Sequence, residues 1–191
     1  MEQVVLARHG ESVFSARGLV NGDVAVSCPL TERGEEEARA LGEALAGEPI
    51  DLSVTSEFER ARQTADLALA GRDVPRLVVA ELNDPRYGVF EGGALDEFRE
   101  WAWSHGSGDA PPEGESRREL VARYARGYRL VLGRPERSAL VVAHSLPIAY
   151  ALGEPQPRMR MVERGAAHRL SAGELRAAVE RLEAWLEAPT W

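Results

Sequence analysis

Apolar positions along this chain alternate between two periods. Short, mainly apolar runs at Val4 to Ala7, Ile50 to Thr55, Leu77 to Ala80 and Ser138 to Ala143 have the length and β-branched content of strands. Between them the spacing becomes helical. Thr31 caps a segment in which Ala38, Leu41 and Leu45 share one face opposite Glu35, Glu36, Arg39 and Glu43, and Gly47 with Pro49 ends it. Glu57 to Ala70 repeats the pattern with Ala61, Ala65 and Leu69 inward, Leu95 to Ser104 forms a third helix, and Ser116 to Leu132 a fourth with Leu120, Tyr124, Tyr128 and Val131 on its apolar side. Ala166 to Ser171 then reads as a strand, and Leu175, Val179, Leu182 and Leu186 mark a closing helix, although helix and strand compete over 172–188. Strands alternating with helices predict an α/β three-layer sandwich, a mostly parallel central sheet with helices on both faces. Three of the strands end on polar residues, Arg8-His9, Thr55-Ser56 and His144-Ser145, and parallel strands put those ends on one side.

At 191 residues the chain fits one domain, residues 1–191, without a linker, internal repeat or low-complexity tract. No apolar run approaches the ~20 residues of a membrane span, and residues 1–7 lack the basic start and apolar stretch of a signal peptide, so a cytoplasmic protein without membrane partners is expected. Cys28 stands alone, which excludes an internal disulfide and a cysteine-based zinc site. All 23 basic residues are arginine, so Schiff-base lysines and a Walker A phosphate loop are excluded as well. The net charge of −8 argues against a nucleic-acid partner held by phosphate neutralisation, and an anionic small molecule would need a locally basic pocket.

Such a pocket has a candidate nucleus in Arg8-His9-Gly10-Glu11, where a fork built for phosphate adjoins a titratable nucleophile at a strand end. Three further segments follow in order: Thr55-Ser56-Glu57-Phe58-Glu59-Arg60-Ala61-Arg62-Gln63-Thr64-Ala65, then Leu82-Asn83-Asp84-Pro85-Arg86-Tyr87-Gly88-Val89-Phe90-Glu91-Gly92, and Val141-Val142-Ala143-His144. Together they resemble the histidine phosphatase superfamily, in its phosphoglycerate mutase-like branch and its compact, broad-specificity phosphatase type. Pro29-Leu30-Thr31 with Gly34, and Gly114-Glu115-Ser116 with Arg123, are similar to the family's secondary motifs.

The resemblance implies a role for each matching residue. His9 falls at the nucleophile that carries a phosphoryl group, with its other ring nitrogen held by a backbone carbonyl so that one tautomer persists, and Gly10 permits the close turn. Arg8, Arg60 and His144 fall at the phosphate pocket, His144 serving best as an imidazolium donor. The family pattern selects Arg60 over Arg62. Asp84 falls at the proton donor and calls for partial desolvation to raise its pKa, whereas Glu91 matches a structural Glu-Gly pair. Ser15, Asn21 and Gly22 match positions that contact phosphate or substrate, though relatives often carry asparagine where Ser15 stands. Ser145 replaces a usual glycine, and His105 and His168 match nothing catalytic. No metal and no cofactor is implied.

Phosphatases and mutases of this kind differ in what meets the phosphohistidine, water or a second hydroxyl. Mutases typically place arginine after the donor acid, where this chain has Pro85, and carry a longer insertion than the 51 residues between Gly92 and His144. The expected activity is therefore hydrolysis of a small phosphorylated metabolite. A 2,3-bisphosphoglycerate-dependent mutase is the alternative, and an inactive relative that binds a phosphorylated ligand the second. The leaving-group pocket is expected from Arg17 to Asp23, Arg86 to Tyr87 and Trp101 to Glu115. Arg17 and Arg86 either hold a second anionic group or are solvated, and Trp101 and Trp103 either line an apolar wall or pack. A homodimer is the base-rate expectation.

Overall fold

The computed structural model describes residues 1–156, 158–159 and 161–190. Five strands, β1 (Gln3–Arg8), β2 (Leu52–Thr55), β3 (Arg76–Val78), β4 (Ser138–Ala143) and β5 (Ala167–Ser171), form one sheet in the order β3-β2-β4-β1-β5. β1, β2 and β3 run parallel to their neighbours across β4 and β2, and β5 closes the β1 edge antiparallel. β4 is buried over its whole length, as a central parallel strand must be when helices cover both faces.

Side-chain alternation divides the core in two. Val4, Leu6, Leu52, Val54, Ala139, Val141 and Ala143 point to one face, under α4 (Arg117–Leu132), α5 (Ser145–Leu152) and α6 (Ala172–Glu187). Val5, Ala7, Leu140 and Val142 point to the other, under α1 (Glu32–Ala44) and α2 (Glu59–Ala68). The three-layer sandwich expected from the alternating periods is the observed fold. Thr31 Oγ1 accepts from the Gly34 amide and starts α1, while Ser116–Glu119 and Ser171–Glu174 each close a capping box at the heads of α4 and α6.

Two elements differ from expectation. The third strand stops at Val78, and Ala80–Leu82 turns into a 3-10 helix that lies against α4. Helix α5 follows His144 without a sequence signal, because it is buried on most sides and its apolar residues show no one-sided period. The closing segment is helical, Ala172–Glu187, so the ambiguity over 172–188 resolves to helix.

The sheet order matters for the site. β4 lies between β1 and β2, so the carboxyl ends of all three meet: His9 N donates to Ala143 O at 3.0 Å and Ser56 N to Val142 O at 3.4 Å. The loop leaving β1 also presses onto the start of α1. A Cβ at Gly10 would stand 2.3 Å from Gly34 O, and one at Gly34 would stand 2.0 Å from Glu11 O, so only paired glycines let these backbones touch.

Candidate active site

His9 is 4% exposed at the end of β1, and its Nδ1 lies 2.7 Å from Gly10 O. A carbonyl only accepts, so Nδ1 carries the proton and Nε2 turns a lone pair to the cavity, where Arg60 Nε donates to it at 3.3 Å. Burial, with Arg60 and Arg8 close by, holds the His9 pKa well below the usual imidazole value. The ring is thus neutral at neutral pH, with its free nitrogen fixed in direction.

Arg60 is the hub. It is 3% exposed in the first turn of α2, while Arg62 two residues on is exposed. Its NH1 donates to Asn21 Oδ1 at 2.6 Å and its NH2 to Asn21 O at 3.0 Å and Asp84 Oδ2 at 3.2 Å, with His144 Nδ1 at 3.4 Å. Its guanidinium carbon lies 4.1 Å from the centroid of Phe58, whose ring also meets His144 edge-on at 5.0 Å. Thr64 Oγ1 donates to Arg60 O and accepts from Gly10 N, tying α2 to the nucleophile loop.

Arg8 faces the same space. Its NH1 donates to Val162 O at 2.9 Å, and its buried Nε has no hydrogen-bond partner among the described residues. Burial and the neighbouring Arg164 push the Arg8 pKa down to about 10. A buried guanidinium with an idle donor is stabilised by an arriving anion.

His144 follows β4 and is fully buried; its ring centroid lies 5.1 Å from that of His9. Burial first, then Arg60, holds its pKa well below the usual imidazole range. Burial and the two guanidinium groups favour the neutral ring, so the imidazolium donor that the resemblance implies calls for added negative charge beside it. Its Nε2 lies 2.8 Å from Ser56 Oγ. Ser145 Oγ accepts from Val162 N at 2.8 Å, so the residue that replaces a usual glycine anchors the segment against which Arg8 packs.

Asp84 closes the group, with its Oδ2 3.2 Å from Arg60 NH2 and 3.5 Å from His144 Nδ1. Burial raises its pKa above the usual aspartate value against the pull of Arg60 and Arg8. Its loop is clamped from behind. Arg123 donates to Glu115 at 2.8 Å twice, to the carbonyls of Glu81 and Asn83 at 2.9 Å each, and to Asp84 O at 3.4 Å. Asn83 in turn accepts from Glu57 N and donates to Glu57 Oε2.

Sequence reasoning did not single out Ser56, Thr64, Glu57 or Asn83 for a task, although Ser56 stood at one of the three polar strand ends. Arg123 and Glu115 stood out only as motif positions. Ser15 lines the cavity, its Oγ bonded within the turn to Ser12 O and Ser12 N. Asn21 turns its Oδ1 onto Arg60, and the Gly22 amide donates to both oxygens of Glu91 at 2.9 Å. A Cβ on Gly22 would lie 1.9 Å from Pro85 O. These two therefore brace Arg60 and the acid loop, their polar groups already spoken for. Arg86 lies in a separate groove behind Asp84, and Arg17 is exposed and lines neither.

A model of the histidine phosphatase superfamily (branch 1) matches residues 4–186. The chain belongs to that superfamily. Among relatives, the adenosylcobalamin/alpha-ribazole phosphatase of Salmonella typhimurium is 44% identical over 86 residues, a match spanning 45% of this chain and 42% of that protein. The 2,3-bisphosphoglycerate-dependent phosphoglycerate mutase 2 of Gloeobacter violaceus is 32% identical over 167 residues, 81% of this chain and 75% of that one. An Escherichia coli alpha-ribazole-5'-P phosphatase crystal structure superposes with a TM-score of 0.75 at 32% identity, covering 89% of this chain and 90% of that one.

Within this histidine phosphatase the clamp on the acid loop gives a first prediction. Arg123→Lys keeps the charge beside Glu115 but cannot reach three carbonyls, so kcat on an alkyl phosphate falls roughly 10- to 100-fold with KM little changed, the scale expected for a misplaced catalytic group. Steady-state kinetics check it; an unchanged kcat would detach the clamp from catalysis.

Proposed function

We propose that this histidine phosphatase is a phosphomonoesterase, one domain over residues 1–191, that hydrolyses a small phosphorylated metabolite through a phosphohistidine on His9. The observation that carries the reading is the direction of the His9 ring: Nδ1 donates to Gly10 O, and Nε2 faces a space lined by Arg8, Arg60 and Asp84, with the buried His144 ring centroid 5.1 Å from that of His9. In the first step Nε2 attacks phosphorus, the P–O bond to the alcohol breaks, and Asp84 gives its proton to the leaving oxygen. Arg8 and Arg60 hold the phosphoryl oxygens as charge builds on them, and His144 gains a proton-donor role once the phosphate dianion offsets the two guanidinium groups. In the second step water attacks phosphorus, returns a proton to Asp84, and frees His9 as phosphate departs.

The test uses p-nitrophenyl phosphate in EDTA. Steady turnover without added metal supports the reading, and no turnover together with no phosphoenzyme refutes it. The mutase relative keeps a second reading open, and interconversion of phosphoglycerate isomers faster than hydrolysis would establish it. Pro85 after the acid favours hydrolysis.

A pH dependence follows from the two shifts. His9 must be unprotonated, and its pKa lies well below 6.5, so the acid limb of kcat/KM lies far from neutrality. Asp84 must be protonated to act as acid, so the rate on alkyl phosphates falls as pH rises through its upward-shifted pKa. Turnover of an alkyl phosphate is therefore expected to peak on the acid side of neutrality. A plateau extending above pH ~8 for that substrate would remove Asp84 from the acid role.

A further inference from the structure

The cavity in front of His9 has a volume of about 570 Å³, far more than a phosphoryl group occupies, and Tyr87, Phe98 and Trp101 form one of its walls. That wall is aromatic. Tyr87, three residues after the acid, meets Phe98 edge-on at 4.7 Å; Phe98 lies 6.3 Å from Trp101 with planes 25° apart; and Trp101 stacks on His105 at 4.3 Å and 19°. Phe98, Trp101 and His105 fall at helical spacing along and just past α3 (Leu95–Ser104). In that helix only Ala102 is buried, and neither Phe98 nor Trp101 joins the two core clusters. The His105 ring and its Nδ1 contact with Trp101 O at 2.7 Å hold the indole in place. Phe14, Leu19, Leu95 and Leu146 line the same cavity. The aromatic run begins beside Asp84, where the leaving oxygen must sit, and continues outward, so it follows the path the alcohol has to take.

Three of the arginines on this outer wall already have a carboxylate partner. Arg33 is bonded to Glu37 at 3.2 Å, Arg99 to Asp96 at 2.9 Å, Arg164 to Glu11 at 3.2 Å, and Arg117 to the Ala102 carbonyl. Asp109 and Glu163 also line the cavity. A second anionic group set beside Arg33, Arg99 or Arg164 would have to displace a carboxylate, and one set beside Asp109 or Glu163 would meet like charge.

We propose that the outer cavity selects a phosphate ester whose alcohol is uncharged and carries a flat aromatic group, seated against Phe98 and Trp101, and that it disfavours short phosphorylated acids. The selection rests on the hydrolase reading for its chemistry but not for its binding. The experiment therefore has two arms. In the first, kcat/KM is compared for 3-phenylpropyl phosphate, propyl phosphate and 3-phosphoglycerate, esters of aliphatic alcohols, so that the demand on Asp84 stays similar. The phenyl ester is expected to exceed the propyl ester by at least ~100-fold, the scale of burying an aromatic ring, with 3-phosphoglycerate lowest. Trp101→Ala is expected to reduce the phenyl-to-propyl ratio about tenfold, and Trp101→Phe to restore most of it.

In the second arm, calorimetry compares the non-hydrolysable 3-phenylpropylphosphonate and propylphosphonate. A tighter Kd for the phenyl compound by a similar factor sustains the proposal even if no ester is turned over, in which case the hydrolase reading alone fails. A phenyl-to-propyl ratio near one in either arm, or 3-phosphoglycerate as the preferred ester, overturns it.

Discussion

His9→Ala is expected to lower kcat on any phosphate monoester by about 10⁴- to 10⁶-fold, the range seen when a covalent nucleophile is removed and only positioning remains. The reason is geometric. Arg60, Asn21, Asp84 and His144 form a network around Nε2, and the small pocket left by alanine offers water no equivalent base, since His144 is turned toward Ser56 and Arg60. The fold should survive the change, because Gly10 and Thr64 hold the loop through backbone contacts that do not use the imidazole. Rate measurements with p-nitrophenyl phosphate, alongside a thermal melt, check both halves. A loss of less than tenfold would mean that the phosphoryl group never rests on His9.

Asp84→Asn should separate substrates by leaving group. For an alkyl phosphate the departing alkoxide needs a proton, and loss of the acid costs ~10²- to 10⁴-fold; p-nitrophenolate leaves without one, and its rate should fall by less than about tenfold. The amide is close in shape to the carboxyl and retains an oxygen for Arg60, so any change in phosphate grip is shared by both substrates and cancels in the ratio. Equal losses on the two esters would assign Asp84 to holding Arg60 in place. The raised pKa of this largely buried carboxyl fits the acid role, since a proton must be on the group before the ester bond breaks.

How much of this was legible in the sequence depends on the distance over which each contact acts. β1 and β4 are apolar runs that end on Arg8-His9 and His144, and their parallel pairing brings the two imidazoles together as the alternation of strands and helices implied. Arg60 could be told from Arg62 by motif position, and burial separates them in the fold. Helix α5 had no signal because a helix buried on most sides loses the one-sided period that marks an amphipathic one. The supports of the acid loop were illegible as supports for another reason: Arg123 reaches carbonyls about 40 residues away, and no local pattern encodes such a partner. Asn21 and Gly22 stand at motif positions whose bracing contacts, to Arg60 and Glu91, no local pattern encodes. The charge of His144 depends on the sum of neighbouring charges and on burial, neither of which a strand end reveals.

The central claim is that the phosphoryl group passes through His9, and the most direct measurement is to trap it there. The enzyme is mixed with an ester bearing a radiolabelled phosphoryl group, quenched in alkali within the first turnover, digested, and the labelled peptide sequenced. The account predicts one acid-labile phosphoryl group on the peptide that contains His9, formed at a rate no slower than turnover and absent from His9→Ala. Full turnover with no label on the protein, or label on a different residue, would contradict it.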